Sequence, residues 1–127
     1  MDYREAYEKA LQLLNVRFLS EGELKAKLRR RGVDDDVLED VVAALEGEHF
    51  LDDQRLARDV YRYYARKGQY GHLYIVNRLR RRCLPVPEDV ERPDEYALAG
   101  DLVKRKFSYR ADEARKAARF LQYRGFS

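Results

Sequence analysis

Three stretches of the chain follow one short plan: an apolar pair one helical turn apart, then arginine, then, past a position that is Gly in two of the three, one more apolar residue. In SEGELKAKLRRRGV the pair is Leu24 and Leu28, followed by Arg29, Arg30, Arg31, Gly32 and Val33. A shift of 51 places lays Gly71 on Ser20, Ile75 on Leu24, Leu79 on Leu28, Arg81 and Arg82 on Arg30 and Arg31, and Leu84 on Val33. A shift of 93 lays Ala117, Leu121, Arg124, Gly125 and Phe126 on Leu24, Leu28, Arg31, Gly32 and Val33. The segments ahead of these repeat as well, since 42 places carry Leu56, Ala57, Val60 and Tyr61 onto Leu98, Ala99, Leu102 and Val103. A period of about 40–50 residues is that of stacked helical units, each too small to bury a sufficient core alone. The repeat therefore predicts an all-α fold of tandem three-helix repeats in an elongated, curved array, rather than a single four-helix bundle.

Local signals fill in the elements. Asp2 with Glu5 suits a capping box, and Tyr3, Tyr7, Ala10, Leu11 and Leu14 recur at helical spacing up to about Phe18. Ser20 with Glu23 forms a second capping box, ahead of a helix that Gly32 stops. Asp34, Asp35 and Asp36 suit the start of a third helix on capping and dipole grounds, with Val37, Leu38, Val41, Val42 and Leu45 as its stripe and Gly47 near its end. Asp52 or Asp53 opens the next helix, with Leu56, Val60, Tyr61 and Tyr64 on its stripe, and KGQYG marks the following turn. Leu73, Ile75, Val76 and Leu79 make a short helix ending in arginines. Pro85, Pro87 and Pro93 then leave room for at most a turn of regular structure. Further helices are expected over Leu98 to Phe107 and from about Asp112 to Gly125, and no strand is expected. The units are thus 1–50, an N-terminal helix with the first repeat; 51–93, a second repeat whose third helix is eroded; and 94–127, an incomplete third repeat.

Charge is separated along the chain. Residues 34–53 carry nine acids and no Lys or Arg, whereas residues 54–87 carry nine bases and one acid, Asp59, so a near-neutral total of +3 hides two opposed blocks. Such polarity suits oriented docking on a charged partner, or pairing of neighbouring helices. With one Cys and two His there is neither a disulfide framework nor the usual zinc set. MDYREAYEKA is charged where a secretory signal needs its apolar segment, and no run reaches the length of a membrane span, so a cytoplasmic, soluble and monomeric protein is expected.

Catalytic patterns are sparse. His49, His72 and Cys83 are far apart in sequence and lack the neighbours of a zinc set or of a nucleophile with its base. Adjacent Asp52 and Asp53 read as a helix start rather than a two-metal site, whose carboxylates must converge. No phosphate-binding glycine loop occurs, so no cofactor, metal or enzymatic activity is expected.

Arginine carries the functional expectation, because 19 of the 26 bases are Arg and a guanidinium forks onto carboxylate or phosphate. Arg29, Arg30 and Arg31 occupy the same place in the repeat as Arg80, Arg81 and Arg82, with both a partner contact and helix-end stabilisation open to them. Arg58, Arg62 and Arg66 recur every four residues, and Lys104, Arg105 and Lys106 form a further group. These twelve are the partner-binding candidates. Five of the ten tyrosines fall between Tyr61 and Tyr74, where packing is the first reading and stacking on a base, at Tyr63, the second.

SEGELKAKLRRRGV, LEGEHFLDDQRLA, GQYGHLYIVNRLRRR and ARFLQYRGFS, in that order, resemble the bacterial RecX family of RecA modulators over roughly residues 8–127. The resemblance matches Leu51, Asp52, Asp53 and Ala57 to the opening of the family's second repeat. It matches Tyr70, Gly71, Ile75 and Leu79 to the middle helix of that repeat, and Phe120, Leu121, Arg124, Gly125, Phe126 and Ser127 to the third. It implies three tandem three-helix repeats and a non-enzymatic protein that binds the RecA filament on single-stranded DNA in its helical groove. Inhibition of RecA ATPase and recombinase activity, within DNA repair, recombination and the SOS response, is implied with it, together with weak direct contact to DNA. A helical DNA-binding protein acting through its Arg-rich faces without RecA is the alternative. Three departures stand out: Cys83 where the family often has Gly, the proline-bracketed 85–93, and an end at Ser127 ahead of a helix that family members usually add.

Overall fold

The computed structural model describes residues 1–107 and 113–126. Seven helices and no strand occur among them: α1 Tyr3–Val16, α2 Glu21–Arg30, α3 Asp35–Gly47, α4 Asp53–Arg66, α5 His72–Arg81, α6 Glu95–Lys106 and α7 Ala114–Tyr123. The fold is all-α and built of tandem three-helix-like repeats. Between Arg81 and Glu95 only turns and bends occur, as the prolines dictate. The expected helix start at Asp112, and Ser127, lie outside the described residues.

Two compact units result, Met1–Ala57 with Arg81–Pro85, and Arg58–Arg80 with Val86–Ser127. In the first, Leu24 and Leu28 of α2 and Leu38, Val41 and Leu45 of α3 are fully buried, with Leu19, Val33 and Leu51 closing the core from the links. The expected stripe of α1 holds in part, with Ala6 added to it. Ala6 and Ala10 are buried, while Tyr7, Leu11 and Leu14 only rest on the core and Tyr3 is exposed, because small residues let the helix approach closely. Helix α1 also stops at Val16 and leaves Phe18 exposed.

The expected helix starts are capped in part as read. Asp2 accepts from the Glu5 N–H at 2.8 Å, and Ser20 with Glu23 closes a reciprocal capping box. Asp34 takes the N-cap conformation of α3 without a side-chain bond. Asp52 accepts from the Arg55 N–H at 3.1 Å, which frees Asp53 for a task described below. Helix α3 ends at Gly47, yet the left-handed step falls on His49, φ 65°, a residue type enriched there.

In the second unit Tyr61 of α4 and Ile75 and Leu79 of α5 are fully buried, and Val76 and Phe126 nearly so. Leu73, expected on the inner stripe of α5, is instead exposed, since Ile75, Val76 and Leu79 already fill the buried face. Helix α6 contributes half-buried Leu98, Ala99, Leu102 and Val103, and Phe107 meets Phe120 of α7 edge to face at 5.5 Å.

Candidate interaction site: helix-end knuckles and exposed arginines

The residue after each middle helix turns the chain left-handed, and the helix end becomes a knuckle. At α2 the Val33 N–H reaches Leu28 O and the Gly32 N–H reaches Arg29 O; at α7 Phe126 reaches Leu121 O and Gly125 reaches Gln122 O. These are Schellman bonds, and they fold Val33 and Phe126 back into their cores, as the repeat predicts. Cys83 holds the same position after α5 at φ 58°, so the side chain there is accommodated rather than the turn replaced. Room comes from Gly22, where a Cβ would lie 2.7 Å from that of Cys83.

Two knuckles dock on helix starts. Arg82 donates to Phe18 O at 2.8 Å and pairs with Glu23 at 3.1 Å, while Arg124 donates to Gln69 O at 3.3 Å. Phe18 and Gln69 are one repeat apart, as are Arg82 and Arg124. Carboxylates follow the same rule, because Asp53 accepts from the Glu21 N–H at 2.9 Å and Glu95 from the His72 N–H at 2.8 Å. At α7 the fit is closer still: Gly71 and Leu73 donate their N–H groups to Arg124 O and Gly125 O at 2.7 and 3.2 Å. Orphan N–H groups of one helix start thus meet orphan carbonyls of another helix end.

The electrostatics follow from this docking. Burial raises the Glu23 carboxyl, but the Ser20 N–H and the Arg82 and Arg17 cations outweigh it and hold its pKa below the ordinary range. Asp53 moves the other way, raised by burial and by Glu21, Asp52 and Glu23 despite its bond from the Glu21 N–H. Burial and the Arg92 cation lower His72 against the pull of Glu95, and Nδ1 of His72 lies 2.8 Å from the Tyr61 hydroxyl. Among the described residues no group of three or more His, Cys, Asp and Glu is placed to hold a metal ion.

The twelve basic candidates divide by what already engages them. Arg82 is held inside the first unit with its side chain 25% exposed, and Arg29 pairs with Asp35 at 3.2 Å. Arg58 pairs with Asp89 at 3.7 Å, and Lys106 lies over the Phe120 ring at 4.4 Å. Arg30, Arg31, Arg80, Arg81, Lys104 and Arg105 are exposed, with no side-chain hydrogen bond or ion pair among the described residues. Arg62 and Arg66 line an open groove of about 500 Å³ with Ala65, Glu91, Arg92, Pro93 and Asp94.

Sequence reasoning missed Arg92, isolated between acids, and assigned no contact to Arg78 or to Arg124, which it matched only by its place in the repeat. Both of the latter work inside a tyrosine cluster, where Tyr70 and Tyr74 stack at 4.0 Å and Tyr64 meets each edge to face. Arg78 donates to the Tyr74 hydroxyl at 2.8 Å and Arg124 lies over Tyr70 at 5.5 Å. Packing thus absorbs most of these rings, while Tyr63 stays exposed under Lys67 at 4.6 Å.

The chain is similar in sequence to known proteins. The regulatory protein RecX of Pelodictyon phaeoclathratiforme is 33% identical over 125 residues, covering 92% of this chain and 78% of that protein. RecX of Vibrio cholerae is 32% identical over 135 residues, covering 99% and 88%. The chain belongs to the RecX family. A family model for "RecX, first three-helix domain" matches residues 6–45, which span α1 to α3. The chain spans only 45% of the length of the Geobacillus kaustophilus RecX that it matches at 29% identity. The crystal structure of RecX from Lactobacillus salivarius shares the fold, with a TM-score of 0.80 at 24% identity, covering 99% of this chain and 89% of that one. These relatives bear the name regulatory protein. No helix among the described residues is long and apolar enough to cross a membrane.

Proposed function

We propose that the chain regulates RecA by binding the RecA filament on single-stranded DNA, in its helical groove, and inhibiting ATPase and recombinase activity. Family membership carries the reading. The distribution of unengaged cations supports it, since exposed guanidiniums with no internal partner among the described residues are available for forked contacts to carboxylate and phosphate. Arg62, Arg80 and Arg81 form the main contact set, joined by Lys104 and Arg105 at the end of α6 and by Arg31 at the cap of α2, while Arg66, whose Nε donates to Arg62 O at 3.2 Å, keeps its other guanidinium N–H groups for a partner and Arg30 adds only long-range field. Arg58 and Lys106 hold local structure, and Arg29 and Arg82 contribute through the helix ends they brace. The protein works as a monomer in the cytoplasm.

The test is equilibrium binding of the labelled full chain to RecA-coated single-stranded DNA, with naked DNA of the same sequence in parallel. The filament is expected to bind at least ~10-fold more tightly than naked DNA, a difference of about 1.4 kcal/mol. Equal affinity for both would favour the reading in which the Arg-rich faces bind DNA without RecA.

A further inference from the structure

One knuckle is built like the others but meets no helix start among the described residues. After α2, Arg31, Gly32 and Val33 occupy the places that Arg82, Cys83 and Leu84 take after α5 and Arg124, Gly125 and Phe126 take after α7. The α2 turn is fully formed, with Gly32 at φ 85° and Val33 buried. Beyond it the three part ways. Gly125 is buried and Arg82 and Arg124 are half-buried, whereas Arg31 and Gly32 are exposed. A Cβ on Gly125 would meet the backbone of Tyr74; one on Gly32 would meet nothing within 4 Å. Neither the guanidinium of Arg31 nor the carbonyls of Arg31 and Gly32 have a hydrogen-bond partner among the described residues.

We propose that the Arg31–Gly32–Val33 knuckle is a preformed docking element for the acidic N-terminal turn of a partner protein's helix. The two filled knuckles state the chemistry of the occupant. Each meets a helix start, and each arginine donates to a main-chain carbonyl two residues ahead of the N-cap position. At the α5 knuckle the third helical residue adds a carboxylate, Glu23, and the second is a glycine that admits close approach. The α7 knuckle shows backbone complementarity, its last carbonyls accepting from the N–H groups of the helix start. Arg29 is already paired with Asp35, so Arg31 supplies the fork while Arg30 adds field without a fixed place in the motif. The turn is set before binding, so little ordering opposes the contact. An acidic turn fits better than a phosphate, because both filled knuckles engage a main-chain carbonyl, to which the α5 knuckle adds a carboxylate and the α7 knuckle adds backbone N–H donors, and a phosphate offers no N–H to the free carbonyls.

The identity of the protein that presents this helix rests on the RecA reading above. The experiment therefore uses RecA-coated single-stranded DNA as the probe, with the full-length chain and its Arg31→Ala, Arg31→Lys and Arg30→Ala variants. Arg31 is exposed and unengaged, so these variants keep the fold, which circular dichroism checks. Arg31→Ala is expected to weaken filament binding about tenfold, the scale of one charge-assisted hydrogen-bond pair. Arg31→Lys should recover little of it, since an ammonium lacks the planar fork, and Arg30→Ala should change binding less than twofold. Binding of naked single-stranded DNA should be the same for Arg31→Ala and wild type. Wild-type binding with Arg31→Ala unchanged overturns the knuckle and leaves the RecA reading standing. Full recovery by Arg31→Lys, or an equal loss on naked DNA, also overturns it by reducing Arg31 to a point charge or a phosphate contact. No filament binding by the wild type removes the RecA reading, and the partner named here with it.

Discussion

Left-handed positions show how much a single residue type can disclose. Gly32 and Gly125 announce helix stops in the sequence, and both sit at positive φ, 85° and 82°. His49 and Cys83 take the same conformation without announcing it, because nothing local distinguishes them from ordinary helix-end residues. The two glycines also differ in a way that the alignment hides, since only Gly125 lies against another backbone. Gly32→Ala should lower the unfolding free energy by about 1 kcal/mol, the cost of a left-handed alanine. Gly125→Ala adds an overlap with Tyr74 that backbone cannot absorb cheaply, for a total of roughly 3 kcal/mol. Urea denaturation of the two variants checks this, and equal losses would mean that the close approach carries no weight.

At the scale of elements, capping and stripes were legible from spacing, and so was the missing helix between Pro85 and Pro93. The docking of helix ends was not. Its partners stand 59 residues apart in the Arg82–Glu23 pair and 32 apart in the Asp53–Glu21 bond, and each residue has a sufficient local reading, Arg82 as a helix-end cation and Asp53 as a cap. Overlaying the repeats did superpose Arg82 on Arg124, which was the one available hint.

The Arg82–Glu23 pair makes a pH prediction. The Glu23 pKa is depressed on folding, so its stabilisation is present above the unfolded value near 4.5 and is lost as pH falls through the folded one. The raised pKa of Asp53 acts in the opposite sense, and comparison with a variant largely cancels it. Wild type should exceed Glu23→Gln in stability at pH 7, and the gap should narrow steadily below about pH 4.5. A gap independent of pH would deny the pairing. Arg82→Ala, which removes charge-assisted bonds from a half-buried guanidinium, should cost about 2 kcal/mol at neutral pH.

On the scale of the whole chain, the sequence separates charge into an acidic block at 34–53 and a basic block at 54–87. The fold reassigns part of the basic block, taking Arg82 and Arg58 into internal pairs and leaving Arg62, Arg66, Arg80 and Arg81 exposed. That division was out of reach of sequence reasoning, because all nine bases look alike until their neighbours are known. The family was legible early, since it rests on ordered segments over nearly the whole chain, whereas the residues that meet a partner depend on which guanidiniums the fold leaves unengaged. The proposed account predicts that charge on α4 matters for filament binding and charge on α1 does not. The most direct measurement is the steady-state ATPase of RecA on single-stranded DNA, titrated with wild type, with the double variant Arg62→Glu and Arg66→Glu, and with a control carrying Arg4→Glu and Lys9→Glu on α1, where Arg4 is exposed and Lys9 half-buried. Saturating inhibition by wild type and control, with a midpoint at least ~10-fold higher for the α4 variant, is the predicted result. An ATPase rate unchanged by wild type at saturation, or identical curves for the two variants, would contradict it.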